Sequence, residues 1–144
     1  MFRQITDSFF VSPQITVDDV AQAKEMGAVM IINNRPDSEE ASQTPAEDIE
    51  VAARAAGLLY AAVPVTHAGF SPWQIDGMDE ALAKAGEGKV LAYCRSGTRS
   101  TLLWALTRAR HGHDTEALSE KAASAGYDLS PIRQIMDALA AQAE

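Results

Sequence analysis

Ala28-Val29-Met30-Ile31-Ile32 is the stretch that most limits the folds open to this chain. Five apolar residues in a row are too few for a typical helix. Gly27 stops the run in front, and a polar segment, residues 33–40, stops it behind. Such a run reads as a buried strand of a parallel sheet, and a parallel sheet needs helices on its faces. The rest of the chain supplies them. Residues 3–6 and 9–11 are β-prone, with Asp7-Ser8 as a turn between them. Thr16-Val17-Asp18-Asp19 reads as a capping box that opens a helix running to Met26. Thr44-Pro45-Ala46-Glu47 predicts a second helix, with Thr44 as cap and Pro45 at the first position, ending at Gly57. A strand follows over 58–65, then a capping box at Ser71-Pro72-Trp73-Gln74 and a helix to Gly86. Strand 89–93 precedes a helix from Ser100 to about Arg110, and two more helices span 115–125 and 131–142. The order β-β-α-β-α-β-α-β-α-α-α predicts one α/β domain over residues 1–144. Its central sheet is mostly parallel, of about four to five strands, with helices flanking it.

Net charge is −8, which disfavours nucleic acid and anionic membranes as partners. No apolar run approaches membrane-spanning length, and the N-terminus lacks the basic-then-apolar order of a signal peptide, so the expected location is cytoplasmic. His111-Gly112-His113-Asp114 resembles part of a zinc-hydrolase motif, but no further histidine follows, and Gly112 marks a helix stop. No metal and no cofactor are expected.

In parallel α/β sheets, ligands bind beyond the carboxyl ends of the strands. Cys94, the chain's one cysteine, falls at such an end, in Tyr93-Cys94-Arg95-Ser96-Gly97-Thr98-Arg99-Ser100. One cysteine allows no internal disulfide, so any thiol chemistry needs an external partner. Helix N-termini and neighbouring cations favour a cysteine's thiolate, and the spacing predicts both here. Arg95, Ser96, Gly97 and Thr98 can curl their backbone N–H groups into an anion nest, Gly97 supplying the permissive backbone. Arg99 can fork onto two oxygens of an oxyanion, and Thr98 or Ser100 can hydrogen-bond the sulfur. Arginines in a helix's first turn oppose its dipole, so two of them there call for an anion. Two other loops reach the same rim. They offer Arg35, Asp37 and Glu39 from residues 33–40, and His67 from residues 66–70.

Cysteine phosphatases place five residues between cysteine and arginine, and rhodanese-type sulfurtransferases place four. Cys94 and Arg99 are separated by four, so the loop resembles the rhodanese site by length. The stretches "INNRPDSEE", "AARAAGLLYAAVPV", "VLAYCRSGTRSTLLWAL" and "AGYDLSPI" resemble the beta-lactamase hydrolase-like protein family. That resemblance implies a fold like the dual-specificity phosphatases carrying a rhodanese-length loop. Phosphatases of that fold carry an aspartate general acid in the loop after the preceding strand. Here that loop, Val65-Thr66-His67-Ala68-Gly69-Phe70, has no carboxylate. His67, Asp37 or Glu39 would have to protonate an ester leaving group, whereas sulfite leaves thiosulfate without a proton. The expected activity is therefore sulfur transfer through a Cys94 persulfide. Cys94 and Arg99 are catalytic, thiosulfate or a persulfide is the donor, and an external thiol is the acceptor. The alternatives are a dual-specificity-type phosphatase acting on a phosphate ester through a Cys94 thiophosphate, and a weakly active anion-binding regulatory module.

Overall fold

The structure is a computed structural model that describes residues 1–143. Its elements are β1 (Arg3–Gln4), β2 (Phe9–Ser12), α1 (Val17–Glu25), β3 (Ala28–Asn33), α2 (Ala46–Ala55), β4 (Leu59–Ala62), α3 (Pro72–Ala85), β5 (Lys89–Tyr93), α4 (Thr98–Arg110), α5 (Thr115–Ser124), a 3-10 turn (Ser130–Ile132) and α6 (Arg133–Gln142). One five-stranded sheet has the order β1-β2-β5-β3-β4. β1 pairs antiparallel with β2, and the other pairs are parallel. The expected α/β class and element order are met.

The apolar run that suggested a buried strand is β3, one of the two inner strands of the parallel set. Its side chains divide between two cores. Met30 and Ile32 join Val90 and Ala92 under α3, α4, α5 and α6, while Ile31 joins Leu91 and Tyr93 under α1 and α2. A bulge between Ala28 and Met30 turns Val29 outward. α4 explains its own central place. Ser100 through Thr107 are all buried, because helices pack around α4 as well as the sheet. Trp104 stacks on Phe9 with ring centroids 5.6 Å apart, as core packing, whereas Trp73 at the start of α3 stays 58% exposed. Among the described residues, no helix is long and apolar enough to cross a membrane.

Several boundaries differ from the expectation. Pro45 is the cap of α2 rather than its first residue, and Thr44 lies outside. The cap function passes to Asp37, whose Oδ1 accepts the Ala46 N–H at 2.8 Å. β4 stops at Ala62, short of 65, because Pro64 has no N–H for a ladder. Val63 and Val65 still donate to the carbonyls of Asn33 and Asn34. α4 begins at Thr98, two residues early, because Gly97 takes a left-handed conformation (φ 91°) and lets the chain turn directly into the helix. The last helix is split by the 3-10 turn at Ser130–Ile132.

Candidate active site

Three strands deliver three loops to one edge of the sheet. β5 ends at Tyr93, so Cys94 is the first residue beyond it. β3 ends at Asn33, ahead of residues 34–40. β4 leads to residues 63–70. Asn34 binds these loops together. Its backbone N–H donates to the Tyr93 carbonyl at 2.8 Å, and its side-chain Nδ2 donates to the Val63 carbonyl at 2.9 Å.

The Cys94 sulfur is fully buried and accepts the Gly97 N–H at 3.0 Å. The curl expected of the loop is therefore present, with the sulfur at its floor. The hydroxyls divide differently from the expectation. Ser96 Oγ donates to Thr98 Oγ1 at 3.0 Å, so that pair is occupied with itself. Ser100 Oγ is buried without a partner among the described residues, as are Ser12 Oγ, Asn34 Oδ1 and Tyr93 OH. Burial holds the Tyr93 hydroxyl far above its ordinary range, so it stays protonated.

The loop keeps donors unspent. Among the described residues, the backbone N–H groups of Arg95, Ser96, Arg99 and Ser100 have no protein acceptor, the last two in the first turn of α4. Helix starts leave such groups free and add a positive dipole end. A guanidinium has five N–H donors. Arg99 spends Nη1 on Glu39 Oε2 at 2.8 Å and on the Val65 carbonyl at 2.6 Å, and one Nη2 hydrogen on Glu39 Oε1 at 2.8 Å. Nε–H and the second Nη2 hydrogen lie side by side on the remaining edge, with no oxygen acceptor among the described residues, and the Cys94 sulfur lies close enough to act on the guanidinium. That edge is a second fork, open for two oxygens of an anion. Glu39 raises the Arg99 pKa above its ordinary value, and the Cys94 sulfur adds to the effect.

Glu39 is the hub of this side. Its Oε1 accepts from Arg35 Nε at 2.8 Å as well as from Arg99. Arg35, buried, also donates to Glu40 Oε1 at 2.8 Å and to Gln14 Oε1 at 3.0 Å. Glu40 in turn pairs with the exposed Arg95 at 3.1 Å. The two arginines, first among them Arg99, hold the Glu39 carboxyl down at about 2, against an ordinary 4.5. A carboxylate so held cannot donate a proton near neutrality, which removes Glu39 from the possible general acids. Asp37 is committed to capping α2. His67 is exposed in the loop that follows β4.

Three contributors went unnoticed in the sequence. Gln14 lies just past β2, beside the loop; its backbone N–H donates to the Arg95 carbonyl at 3.3 Å. The Val65 carbonyl fixes Arg99. Tyr127, between α5 and the 3-10 turn, donates its hydroxyl to the Ser96 carbonyl at 3.1 Å. That hydroxyl also occupies the space a Cβ at Gly97 would need. Only a tyrosine after Gly126 signalled it. In the segment read against a zinc motif, His111 Nε2 lies 2.8 Å from Asp79 Oδ1, and Asp114 caps α5.

A buried cysteine in a helix-opening loop, at the carboxyl end of a parallel strand and faced by an oriented arginine, defines a domain of the cysteine-phosphatase-like class. The chain belongs to the family described as "Beta-lactamase hydrolase-like protein, phosphatase-like domain", which residues 1–111 match. The Beta-lactamase hydrolase-like protein of Xylella fastidiosa (strain Temecula1 / ATCC 700964) is 36% identical over 129 residues, 87% of this chain and 29% of that protein. That of Agrobacterium fabrum is 31% identical over 127 residues, 88% of this chain and again 29% of the relative. The chain thus spans under a third of the length of these curated relatives. A candidate phosphatase from Neisseria meningitidis Z2491 superposes with a TM-score of 0.80 at 33% identity, covering 95% of this chain and 96% of that one. Tk-PTP in its active form superposes at 0.74 with 15% identity, covering 98% and 97%, which is a likeness of fold alone.

Proposed function

We propose that this domain is a cysteine-dependent phosphatase, with Cys94 as nucleophile and Arg99 as the clamp on the phosphoryl oxygens. One observation carries the reading. Four unspent N–H groups, two in the Cys94 loop and two in the first turn of α4, and the free edge of Arg99 form a donor set suited to a tetrahedral oxyanion. The family and the Neisseria relative, both described in phosphatase terms, favour phosphoryl over sulfur chemistry. This places the phosphatase ahead of the sulfur transfer expected from loop length.

The reaction takes two steps. The Cys94 thiolate attacks phosphorus, an S–P bond forms, and the ester P–O bond breaks with its electron pair leaving on oxygen. Water then attacks phosphorus, the S–P pair returns to sulfur, and inorganic phosphate departs while solvent takes the water's proton. Donors placed where charge develops do most of the work of such a step. Without a carboxylic acid opposite the loop, the favoured substrates are those whose leaving oxygen departs as a stable anion, such as aryl phosphates and phosphoanhydrides.

Sulfur transfer stays as the second reading because four residues, not five, separate Cys94 from Arg99. There the thiolate attacks the outer sulfur of thiosulfate, sulfite leaves, and an external thiol takes the sulfur from the Cys94 persulfide. Intact-protein mass spectrometry separates the two. With p-nitrophenyl phosphate the protein is expected to release phosphate and, on rapid acid quench, to carry a phosphoryl adduct that Cys94→Ser abolishes. A persulfide with turnover from thiosulfate, and no phosphate release, overturns the proposal. Silence toward both donors favours the anion-binding module.

A further inference from the structure

At the opposite edge of the sheet, beside the amino ends of β2 and β5, lies a cavity of about 220 Å3. Val90 borders it, four residues and therefore about 13 Å before Cys94 along β5. Its apolar lining includes Phe9, Trp104 and Leu118, all core residues whose edges reach the cavity. Its charged lining is Arg108, His113 and Lys121, with no carboxylate among the lining residues. In a chain of net charge −8, three basic groups lining one cavity with no carboxylate in the lining are a local reversal that needs a reason.

The three are weakly compensated. Arg108 reaches Asp79 only at 3.5 Å and Thr107 Oγ1 at 3.4 Å. Lys121 and His113 form no ion pair among the described residues. Burial, then Arg108, Lys121 and His111, push the His113 imidazole below its ordinary pKa. The negative end of the α4 dipole does not fill the role of an anion here. The Arg108 and Ala109 carbonyls are already taken by the N–H groups of His111, Gly112 and His113 at 2.9–3.1 Å.

We propose that this cavity is a second ligand site, for a small organic anion with an apolar body: a medium-chain or aryl carboxylate. Arg108 and Lys121 hold the carboxylate, and the Phe9–Trp104–Leu118 lining takes the hydrocarbon. The size fits a ligand of about ten non-hydrogen atoms, since drug-sized ligands fill about 300–1,000 Å3. The site shares no residue with the Cys94 loop, so it does not depend on the phosphatase reading.

Octanoate is the probe, followed by NMR of the His113 ring and the Trp104 indole in the full chain. Saturating shifts of both signals are expected, with a dissociation constant on the order of 1 mM or tighter for a ligand of this size. The His113 midpoint rises as the anion offsets its basic neighbours. Lys121→Glu, at an exposed position, weakens binding at least about tenfold, and Lys121→Gln weakens it less. Cys94→Ser leaves binding unchanged. The proposal fails if octylammonium binds as well as octanoate, if the shifts do not saturate, if Lys121→Glu has no effect, or if inorganic phosphate or Cys94→Ser displaces the ligand.

Discussion

Replacing Glu39 by Gln tests the architecture around Arg99. The substitution keeps the shape of the side chain and removes the charge that bridges Arg35 and Arg99. The fall of the Glu39 carboxyl from 4.5 to about 2 measures how much the folded state favours the ionised form. With each tenfold in the proton equilibrium worth about 1.4 kcal/mol, the bridge stabilises the fold by roughly 3 kcal/mol near neutrality. Its side chain is only 20% exposed, so solvent screening takes a minor part of that. The sign fixes the pH window. A depressed carboxylate contributes stability above its unfolded value, and that stability drains away as pH falls from 4.5 toward about 2. Urea unfolding of wild type and Glu39→Gln at a series of pH values is the assay. A gap of roughly 3 kcal/mol at pH 7 should close near pH 2. Under the proposed function, release of phosphate from p-nitrophenyl phosphate should fall too, because Arg99 loses the partner that fixes one end of its guanidinium. A gap under about 0.5 kcal/mol at pH 7, or one indifferent to pH, refutes the reasoning.

Gly97→Ala places a Cβ against the Tyr127 hydroxyl and imposes a positive φ on a residue that resists it. It should cost about 1–3 kcal/mol by thermal or urea unfolding and suppress turnover, with Tyr127→Phe in the same chain restoring part of the stability. Leu106→Ala, in the fully buried stretch of α4, should cost about 2–5 kcal/mol in urea unfolding, with an unchanged response of Cys94 to p-nitrophenyl phosphate in whatever fraction remains folded. Among the described residues, Ser38 is the one non-glycine residue with a left-handed backbone (φ 67°), so Ser38→Gly should leave stability equal or up to about 1 kcal/mol higher; a loss beyond that would mean its side chain anchors the loop. His67→Ala should leave aryl phosphate turnover within about threefold of wild type if no protein acid assists, whereas a drop of about 100-fold or more would make His67 the acid.

What the sequence made legible was local. Gly27, Thr16 with Asp19, and Ser71 with Gln74 set helix ends through atoms within a few residues, and the observed boundaries follow them closely. The position of Cys94 was legible for the same reason, since a strand's end and a helix's start are neighbours in the chain. The partners of the loop were not. Arg99 meets Glu39 across 60 residues, and Tyr127 meets Ser96 across 31. Nothing in the composition of either segment states those pairings; the first follows from strand order, which brings β3 beside β5, and the second from the packing of α5 and α6 against α4. Thr44 misled for a related reason. It has the right chemistry for a cap, but Asp37, seven residues earlier, reaches the Ala46 N–H instead because the loop folds back over α2.

That folding back bears on the chemistry. An arginine beside a nucleophile gains most when its orientation is set before the substrate arrives, since a side chain ordered on binding spends affinity on its own ordering. Glu39 and the Val65 carbonyl take one end of the Arg99 guanidinium and leave the adjacent edge free of oxygen acceptors, so under the proposed phosphatase reading the clamp is set in advance. The same carboxylate is thereby lost as an acid. A residue that must stay ionised to hold two arginines cannot also deliver a proton near pH 7. The site has placed its carboxylate on the side of orientation rather than proton transfer. Turnover should therefore depend steeply on how readily the leaving oxygen accepts charge. A series of aryl phosphates of rising phenol pKa, assayed at fixed pH, should lose rate at every step; a flat series would mean that an acid acts there after all, with His67 the residue left to supply it.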